Sequence, residues 1–263
     1  GYESDKDRLF VYDIASQQHQ DLSLDFDHSA QNVVWSDNDT LYFISALYGT
    51  QQVCRASLAE NKIEVITEGD HDIASISLAG EKCLATLMTI SRDKELYDVN
   101  LADGSLVQLS NINAHVYDNV KMGEVEKRWI KTTDGKEMLT WVILPPDFDP
   151  TKKYPVLLTQ YSGPGSQSVA DSFSMGWESV MVANGYIVVC CDGRGTGYMG
   201  EKFKKQTYGN LGALEVEDQI SFARYMASQP YVDAERIGIY GWSYGGFMAL
   251  GCALKGDGLA RNV

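Results

Sequence analysis

The stretch RIGIYGWSYGGFMALGCAL, residues 236–254, constrains the fold more than any other part of the chain. It reads as a buried strand, a serine set between glycines, and a helix, and Gly241 to Gly245 fit the pattern G-x-S-x-G. The turn is so sharp that its two flanks lie close together, and residues larger than Gly241 and Gly245 would collide there. The pattern predicts Ser243 as a nucleophile whose hydroxyl is exposed at a helix N-terminus, where unpaired amides favour a developing negative charge.

The sequence from about Val125 onward has the period of an α/β domain. A hairpin is predicted to turn at Asp134-Gly135, and continuous apolar runs such as PVLLTQY and YIVVCCD then alternate with helix-like segments such as ALEVEDQISFARYMASQ. Strands that are apolar on both faces and alternate with helices indicate a parallel sheet covered on both sides. We therefore predict an α/β-hydrolase fold, a mostly parallel sheet with helices on both faces, over residues 124–263.

The first 120 residues have a different design, with short strands separated by turn signals. Similar strand-turn-strand segments begin at Val11, Val53 and Leu96, which are 42 and 43 residues apart. A period near 40 to 45 residues with four strands per unit is typical of a β-propeller blade. Residues 1–123 are therefore predicted to be a partial β-propeller of two to three blades; the alternative is a β-sandwich with accidental periodicity.

Composition excludes several classes of function. With 22 Lys and Arg against 36 Asp and Glu, the formal net charge of −14 disfavours nucleic acid and anionic membrane surfaces as partners. The five cysteines show no C-x-x-C spacing, so neither a metal nor another cofactor is expected, and Cys190 and Cys191 are predicted to be buried thiols. No apolar run is long enough for a membrane helix, and no signal peptide is recognisable.

A serine nucleophile needs further groups, and only some are present in the sequence. The Tyr244 amide is the expected first oxyanion donor, and Tyr161, in the loop QYSGPGSQ, could add a phenol hydroxyl or could simply be packed there. A base and an orienting acid normally follow the serine. The only later acid, Asp257, comes too early, and no histidine follows Ser243; the four histidines are His19, His28, His71 and His115. We therefore expect the acid and the histidine that would complete a catalytic triad with Ser243 to lie outside this chain. The chain is then expected to be a fragment that is inactive on its own.

Several uncommon motifs, spread over residues 141–246, resemble those of the prolyl oligopeptidase family of serine peptidases, and most closely its dipeptidyl peptidase IV branch. The resemblance implies that Ser243 is the nucleophile, that the Tyr161 hydroxyl and the Tyr244 amide form the oxyanion hole, and that Trp242 flanks the leaving-group side of the substrate. The motifs are LPPDFDPTKKYPVLL, QYSGPGSQ, CDGRGTGYMG, LGALEVEDQI and YVDAERIGIYGWSYGG.

The same resemblance implies a substrate class. Members of the family cleave peptides after proline or sometimes alanine, and the dipeptidyl branch releases dipeptides from free N-termini. Glu215 and Glu217 are not expected to hold the substrate amine, because their motif matches a helix of the hydrolase domain. A secreted, periplasmic or surface location and a homodimer are suggested by analogy. Acylaminoacyl- or tripeptidyl-type cleavage, an esterase or lipase, and an inactive interaction protein remain alternatives.

Overall fold

The computed structural model describes residues 3–259, whose strands form three sheets. The first sheet is a two-stranded hairpin, the second has eight strands and the third has five. The strands are β1 (Phe10–Asp13), β2 (Gln18–Asp21), β3 (Gln31–Trp35), β4 (Thr40–Leu47), β5 (Thr50–Ser57), β6 (Lys62–Val65), β7 (Asp72–Ala79), β8 (Lys82–Thr89), β9 (Arg92–Val99), β10 (Leu106–Gln108), β11 (Glu124–Lys131), β12 (Glu137–Leu144), β13 (Tyr154–Thr159), β14 (Ile187–Asp192) and β15 (Val232–Tyr240).

The eight-stranded sheet consists of two antiparallel meanders of four strands each. Strands β3 to β6 form one meander and β7 to β10 the next, and a single parallel bridge between Gln51 and Asp72 joins them. The repeat read from the sequence falls on equivalent strands, since Val11 lies in β1, Val53 in β5 and Leu96 in β9. The chain therefore has four strands per repeat, as the period of the sequence predicts.

The central strands of the first meander, β4 and β5, are buried on both faces. Phe43 and Cys54 pack in one apolar cluster with Leu9 and Leu22, which flank the β1–β2 hairpin. Alternate residues of β4 and β5 pack in another cluster with Ile73 and other residues of the second meander. Because neighbouring side chains of a strand point to opposite faces, this sandwiching explains why β4 is a nearly continuous apolar run. Face-to-face stacking of meanders supports the interpretation of propeller blades, which remains a prediction.

The five-stranded sheet has the order β11-β12-β14-β13-β15. Strands β14, β13 and β15 are parallel to one another, whereas β12 pairs antiparallel with both β11 and β14. The described sheet is thus mixed: four of its five strands run in the same direction, and β12 runs opposite to them. The reason is the hairpin β11–β12, which turns through Gly135 at φ 83° as expected and enters the sheet by its second strand. Three parallel strands remain at the edge that carries Ser243.

Helices cover both faces of this sheet. Val216 and Phe222 of α4 and Met248 of α5 pack with Met138, Val142 and other inward residues of the strands in one large core. On the opposite face α2 lies against β14, and Val182 of α2 lies near Ile143. No helix among residues 3–259 is both long and apolar enough to cross a membrane. The helices are α1 (Ala114–Asn119), α2 (Trp177–Ala183), α3 (Glu201–Lys204), α4 (Leu214–Ala227) and α5 (Tyr244–Lys255), with a short 3-10 turn at Lys205–Thr207.

Candidate active site

Ser243 occupies the tight turn between β15, which ends at Tyr240, and α5, which begins at Tyr244. Its φ of 57° is in the left-handed region, where non-glycine residues are uncommon and concentrate at functional sites. The residue is exposed and occupies the N-cap position of α5, and its own carbonyl accepts hydrogen bonds from the amides of Gly246 and Phe247. The hydroxyl is therefore carried at the positive end of a 12-residue helix, as the sequence predicts.

The glycines around Ser243 are required by space. A Cβ added to Gly245 would lie 2.5 Å from the carbonyl oxygen of Gln160, and one added to Gly241 would overlap the backbone of Gly245. Neither neighbour is a flexible side-chain end, so the clash could be relieved only by moving the main chain. The predicted collision at Gly241 and Gly245 is thus present in the structure, and β13 and α5 pass closer together than side chains would allow.

Tyr161 and Tyr244, the two proposed oxyanion donors, are neighbours. Tyr161 follows β13 and is partly exposed, and its ring centroid lies 6.2 Å from that of Tyr244. The phenol hydroxyl of Tyr244 donates a hydrogen bond of 2.8 Å to Glu215 in α4. Glu215 is buried in α4, in keeping with the expectation that it does not hold a substrate amine. The assignment of Tyr161 and the Tyr244 amide as oxyanion donors remains a prediction.

A large open cavity lies beside the turn. Its volume is about 680 Å³, and Tyr161, Trp242, Tyr240, Trp141 and Met175 are among the residues that line it. The Trp242 side chain is 78% exposed, which is unusual for so large an apolar group. Both side chains to which the sequence assigned substrate or oxyanion contact, Trp242 and Tyr161, thus face one concave surface.

Three buried polar residues beneath the turn escaped the sequence analysis. The Gln160 side-chain amide donates to the carbonyl of Gly245 (2.8 Å), and its Oε1 accepts a bond from the Ser162 hydroxyl (3.1 Å). The Gln219 amide donates to both the Ser162 oxygen (3.0 Å) and the carbonyl of Cys191 (2.8 Å). All three residues lie within the family motifs, but only the fold shows that the motifs meet.

The motif CDGRG forms a loop that is tied to α4 by a buried ion pair. Arg194 binds Asp218 through its side chain, with the shortest distance 2.6 Å, and its backbone amide donates to the same carboxylate at 2.7 Å. Asp134, at the turn of the β11–β12 hairpin, lies 3.3 Å from the guanidinium. A Cβ on Gly193 would come within 2.7 Å of Asp218, so the loop also lies close against α4.

The cysteines and the possible metal ligands of the described residues form no second site. All five cysteines are buried and unpaired, and burial raises the pKa of Cys252 to about 12 and that of Cys190 well above the ordinary thiol value. Cys190 and Cys191 are thus buried as predicted, and buried thiols with a raised pKa are poor nucleophiles. Among residues 3–259, no group of three His, Cys, Asp or Glu side chains is arranged to hold a metal ion.

Comparison with known proteins identifies relatives of this chain. The sequence model of the prolyl oligopeptidase family matches residues 172–259, which include Ser243. Dipeptidyl-peptidase 5 of Porphyromonas gingivalis is 37% identical over 249 residues, which cover 94% of this chain and 36% of the relative. A probable dipeptidyl-aminopeptidase B of Sclerotinia sclerotiorum is 53% identical over 120 residues, covering 45% of this chain and 13% of the relative.

Solved structures extend the similarity over nearly the whole chain. The crystal structure of Porphyromonas gingivalis dipeptidyl peptidase 4 superimposes with a TM-score of 0.81 at 31% identity, covering 98% of this chain and 38% of that one. The acylaminoacyl peptidase of Pyrococcus horikoshii gives a TM-score of 0.82 at 25% identity, covering 97% and 40%. Against each of these long matches the chain spans well under half of the relative's length.

Proposed function

We propose that this chain, which belongs to the prolyl oligopeptidase family of serine peptidases, forms part of a dipeptidyl peptidase that uses Ser243 as its nucleophile. The observation that carries the proposal is the conformation of Ser243, exposed in a left-handed turn at the start of α5. A strained serine there has its hydroxyl directed to approaching substrate and to the helix N-terminus. The relatives named as dipeptidyl peptidases give the expected mode of release.

The chemistry follows from the groups around the turn. The Ser243 oxygen attacks the carbonyl carbon of the scissile peptide bond while a base takes the hydroxyl proton. The resulting oxyanion accepts hydrogen bonds from the Tyr161 hydroxyl and the Tyr244 amide, since preorganised donors stabilise the charge that develops there. The amine then leaves with a proton from the same base, and water hydrolyses the acyl-enzyme. We propose that the acyl part ends in proline or alanine.

The described elements around the turn contain no histidine that could serve as the base. The four histidines all precede the α/β sheet, so none belongs to β15, α5 or the other elements that form the turn. The long relatives extend well beyond the part that this chain matches. We propose that the histidine and its orienting carboxylate come from sequence of the intact protein that these 263 residues do not include.

Substrate placement is proposed from the cavity beside the turn. Tyr161 and Trp242 both line it, and its other walls are largely aromatic and aliphatic. An apolar groove adjoining the nucleophile suits an unfolded peptide segment rather than a charged polymer. We propose that Trp242 contacts the leaving-group side of the peptide.

A fluorophosphonate probe, which reacts only with an activated serine, tests the proposal on the intact protein. We expect covalent label on Ser243, and we expect an Ala-Pro or Gly-Pro chromogenic dipeptide to be hydrolysed. Ser243→Ala should remove both, whereas Ser228→Ala, at the far end of α4, should change neither. An intact protein whose Ser243 is not labelled would contradict the proposal.

Acylaminoacyl release is a second candidate, because the acylaminoacyl peptidase matches the chain as well in fold as the dipeptidyl peptidase does. Both reactions use the same acyl-enzyme, so labelling alone does not separate them. Parallel assays separate the two reactions if they use a dipeptide substrate with a free amino terminus and the same substrate with its amino terminus acetylated. Faster cleavage of the acetylated form would assign the protein to acylaminoacyl release.

A further inference from the structure

The buried hydrogen-bonded chain Gln160–Ser162–Gln219 lies where the oxyanion loop crosses the nucleophile turn. Gln160 is 6% exposed, Ser162 2% and Gln219 1%. A buried amide or hydroxyl lowers stability unless it is hydrogen-bonded. Four side-chain bonds of 2.8 to 3.1 Å satisfy most of these groups.

The two ends of this chain are attached to different parts of the site. At one end Gln160 bonds the carbonyl of Gly245, in the first turn of α5 next to Ser243. At the other end Gln219, from α4, bonds the carbonyl of Cys191 in β14. This series of side-chain hydrogen bonds therefore links α5, the loop after β13, α4 and β14.

Tyr161 lies between two members of this chain in sequence. The residue before it is fixed to α5, and the backbone amide of Gln160 also donates to Tyr240 (3.2 Å). The residue after it, Ser162, has a φ of 59°, a conformation that costs energy for a non-glycine residue and persists only where its surroundings impose it. The Tyr161 backbone is thus held on both sides, while its ring is partly exposed.

We propose that Gln160, Ser162 and Gln219 are positioning residues that set where the Tyr161 hydroxyl lies relative to Ser243. This inference rests on the proposed function, in which that hydroxyl binds the oxyanion. Oxyanion donors act over about 2.7 to 3.1 Å, and a misplacement of about 1 Å can lower the rate about 100-fold. A rigid polar link between the two loops keeps such a distance more closely than apolar packing does.

Gln219 is the member to substitute, because it acts through its amide nitrogen and its Oε1 has no partner. Gln219→Met keeps the length of the side chain and removes both donors. In the intact protein we expect kcat to fall roughly 10- to 100-fold with KM within about twofold. Tyr161→Phe, which removes the hydroxyl itself, should lower kcat roughly 100- to 1,000-fold.

The decisive measurement is the double variant Tyr161→Phe with Gln219→Met. If Gln219 acts through the Tyr161 hydroxyl, Gln219→Met should cost less than about threefold in kcat once that hydroxyl is gone. A purely structural role would give the same fold-loss in both backgrounds. Equal losses, or an unchanged kcat in the single variant, would overturn the inference.

Gln52 offers a matched control, because it is a buried glutamine with three side-chain hydrogen bonds in the second sheet. Gln52→Met should lower the melting temperature while leaving kcat within about twofold. Should Gln219→Met fail to fold, Ser162→Ala breaks the same chain at its middle and enters the same cycle with Tyr161→Phe. An unlabelled Ser243 in the unsubstituted protein would instead mean that the proposed function is wrong.

Discussion

At the scale of single residues, conformation and burial give the main clues to activity. Ser243, Ser162 and Tyr198 all have positive φ without being glycine, and each lies in a loop that follows a strand of the third sheet. Such conformations are kept where surrounding packing imposes them. The sharp turn at Ser243 could be predicted from the sequence, because glycines at fixed offsets mark it. The conformation of Ser162 could not be identified, because its partners are Gln160, in the loop after β13, and Gln219 in α4.

Asp192, at the end of β14, shows how burial alters a single ionisable group. Its carboxylate is fully buried and accepts hydrogen bonds from the amides of Ser168 (2.8 Å) and Val169 (2.6 Å), while its other oxygen has no partner. Loss of solvation outweighs these two bonds and raises the pKa of Asp192 to about 7. The folded protein therefore holds this proton at a pH where the unfolded chain has released it.

The stability of the protein should consequently depend on pH through Asp192. Between about pH 4 and pH 7 the unfolded state binds fewer protons at this site, so the contribution of Asp192 to the free energy of unfolding falls as pH rises. Asp192→Asn has no carboxyl to titrate at this position, so its free energy of unfolding should not show this decrease. Relative to the parent, the stability of the variant should therefore rise by roughly 2 to 4 kcal/mol from about pH 4 to about pH 7. Denaturant midpoints measured from pH 4 to pH 8 test it.

Asp149 is the matched control, because it is partly exposed and its bonds to Thr151 lower its pKa. Asp149 therefore has the opposite effect on the pH dependence of stability. It stabilises the folded protein above the pKa of the unfolded state, and this stabilisation is lost as the pH falls. The free energy of unfolding of Asp149→Asn relative to the parent should therefore be lowest near neutral pH. Parallel stability curves for Asp192→Asn and the parent would show that the Asp192 carboxyl titrates in its ordinary range.

At the scale of elements, α4 is the helix that organises the site. Val216, Ile220 and Phe222 bury its apolar face against the sheet. Three of its polar side chains are buried as well, and each bonds a different part of the site: Glu215 binds Tyr244 at the start of α5, Asp218 binds Arg194, and Gln219 binds Ser162. Sequence periodicity predicts the helix but places such residues on its solvent face, so their roles appear only after the loops are in position.

Arg194 and Asp218 should be strongly coupled, because both side chains are at most 3% exposed. Arg194→Met leaves the Asp218 charge buried with only the backbone amide as a close partner, and should lower the free energy of unfolding by roughly 3 to 5 kcal/mol. Arg194→Met combined with Asp218→Asn removes both charges and should cost less than the single substitution. Urea unfolding of the intact protein measures both.

The ion pair of Arg236 with Asp233 is the control for this prediction, because its arginine side chain is 56% exposed. Arg236→Met should change the free energy of unfolding by no more than about 1 kcal/mol. If Arg194→Met cost no more than that, or if the double variant were less stable than Arg194→Met alone, the pair would not be acting as a buried ion pair.

At the scale of the whole molecule, the second and third sheets are joined through a few polar contacts around Gly49. The Tyr48 amide donates to the carbonyl of Tyr198 (2.7 Å), and the Asp171 amide donates to that of Gly49 (2.9 Å). Gly49 has a φ of 86°, and a Cβ added there would lie 2.2 Å from the Leu139 side chain and 3.3 Å from the carbonyl oxygen of Val169, so a larger residue would be strained. Lys127 completes the contact by binding both Asp171, at 2.7 Å, and Asp70.

Lys127→Met should loosen this contact. Asp171 is 1% exposed, and burial already raises its pKa; without the ammonium its charge would have no close opposite charge. We expect the amides of Asp171 and Tyr48 to exchange with solvent at least about tenfold faster, in line with a loss on the order of 2 kcal/mol. Hydrogen exchange of the intact protein measures this.

The effect of Lys127→Met should grow with pH, because Asp171 accepts a proton at low pH and its buried charge then disappears. Nearby Asp72 is also buried and its pKa is raised to about 6, which adds to the same trend. The control is Lys82→Met, since Lys82 forms only a distant, exposed pair with Asp98. Equal exchange rates in Lys127→Met and the parent would show that the sheets are held together without this ion pair.

The sequence by itself determined the local features: the Ser243 turn, the hairpin at Asp134-Gly135, the main helices of the third sheet and the four-stranded repeat. These follow from neighbours in the chain, because periodicity and glycine offsets are local properties. The tertiary structure alone decided which loops meet, as Gln160, Ser162 and Gln219 do, and that the hairpin enters the sheet antiparallel. Buried hydrogen bonds join residues far apart in sequence, and no local pattern specifies such partners.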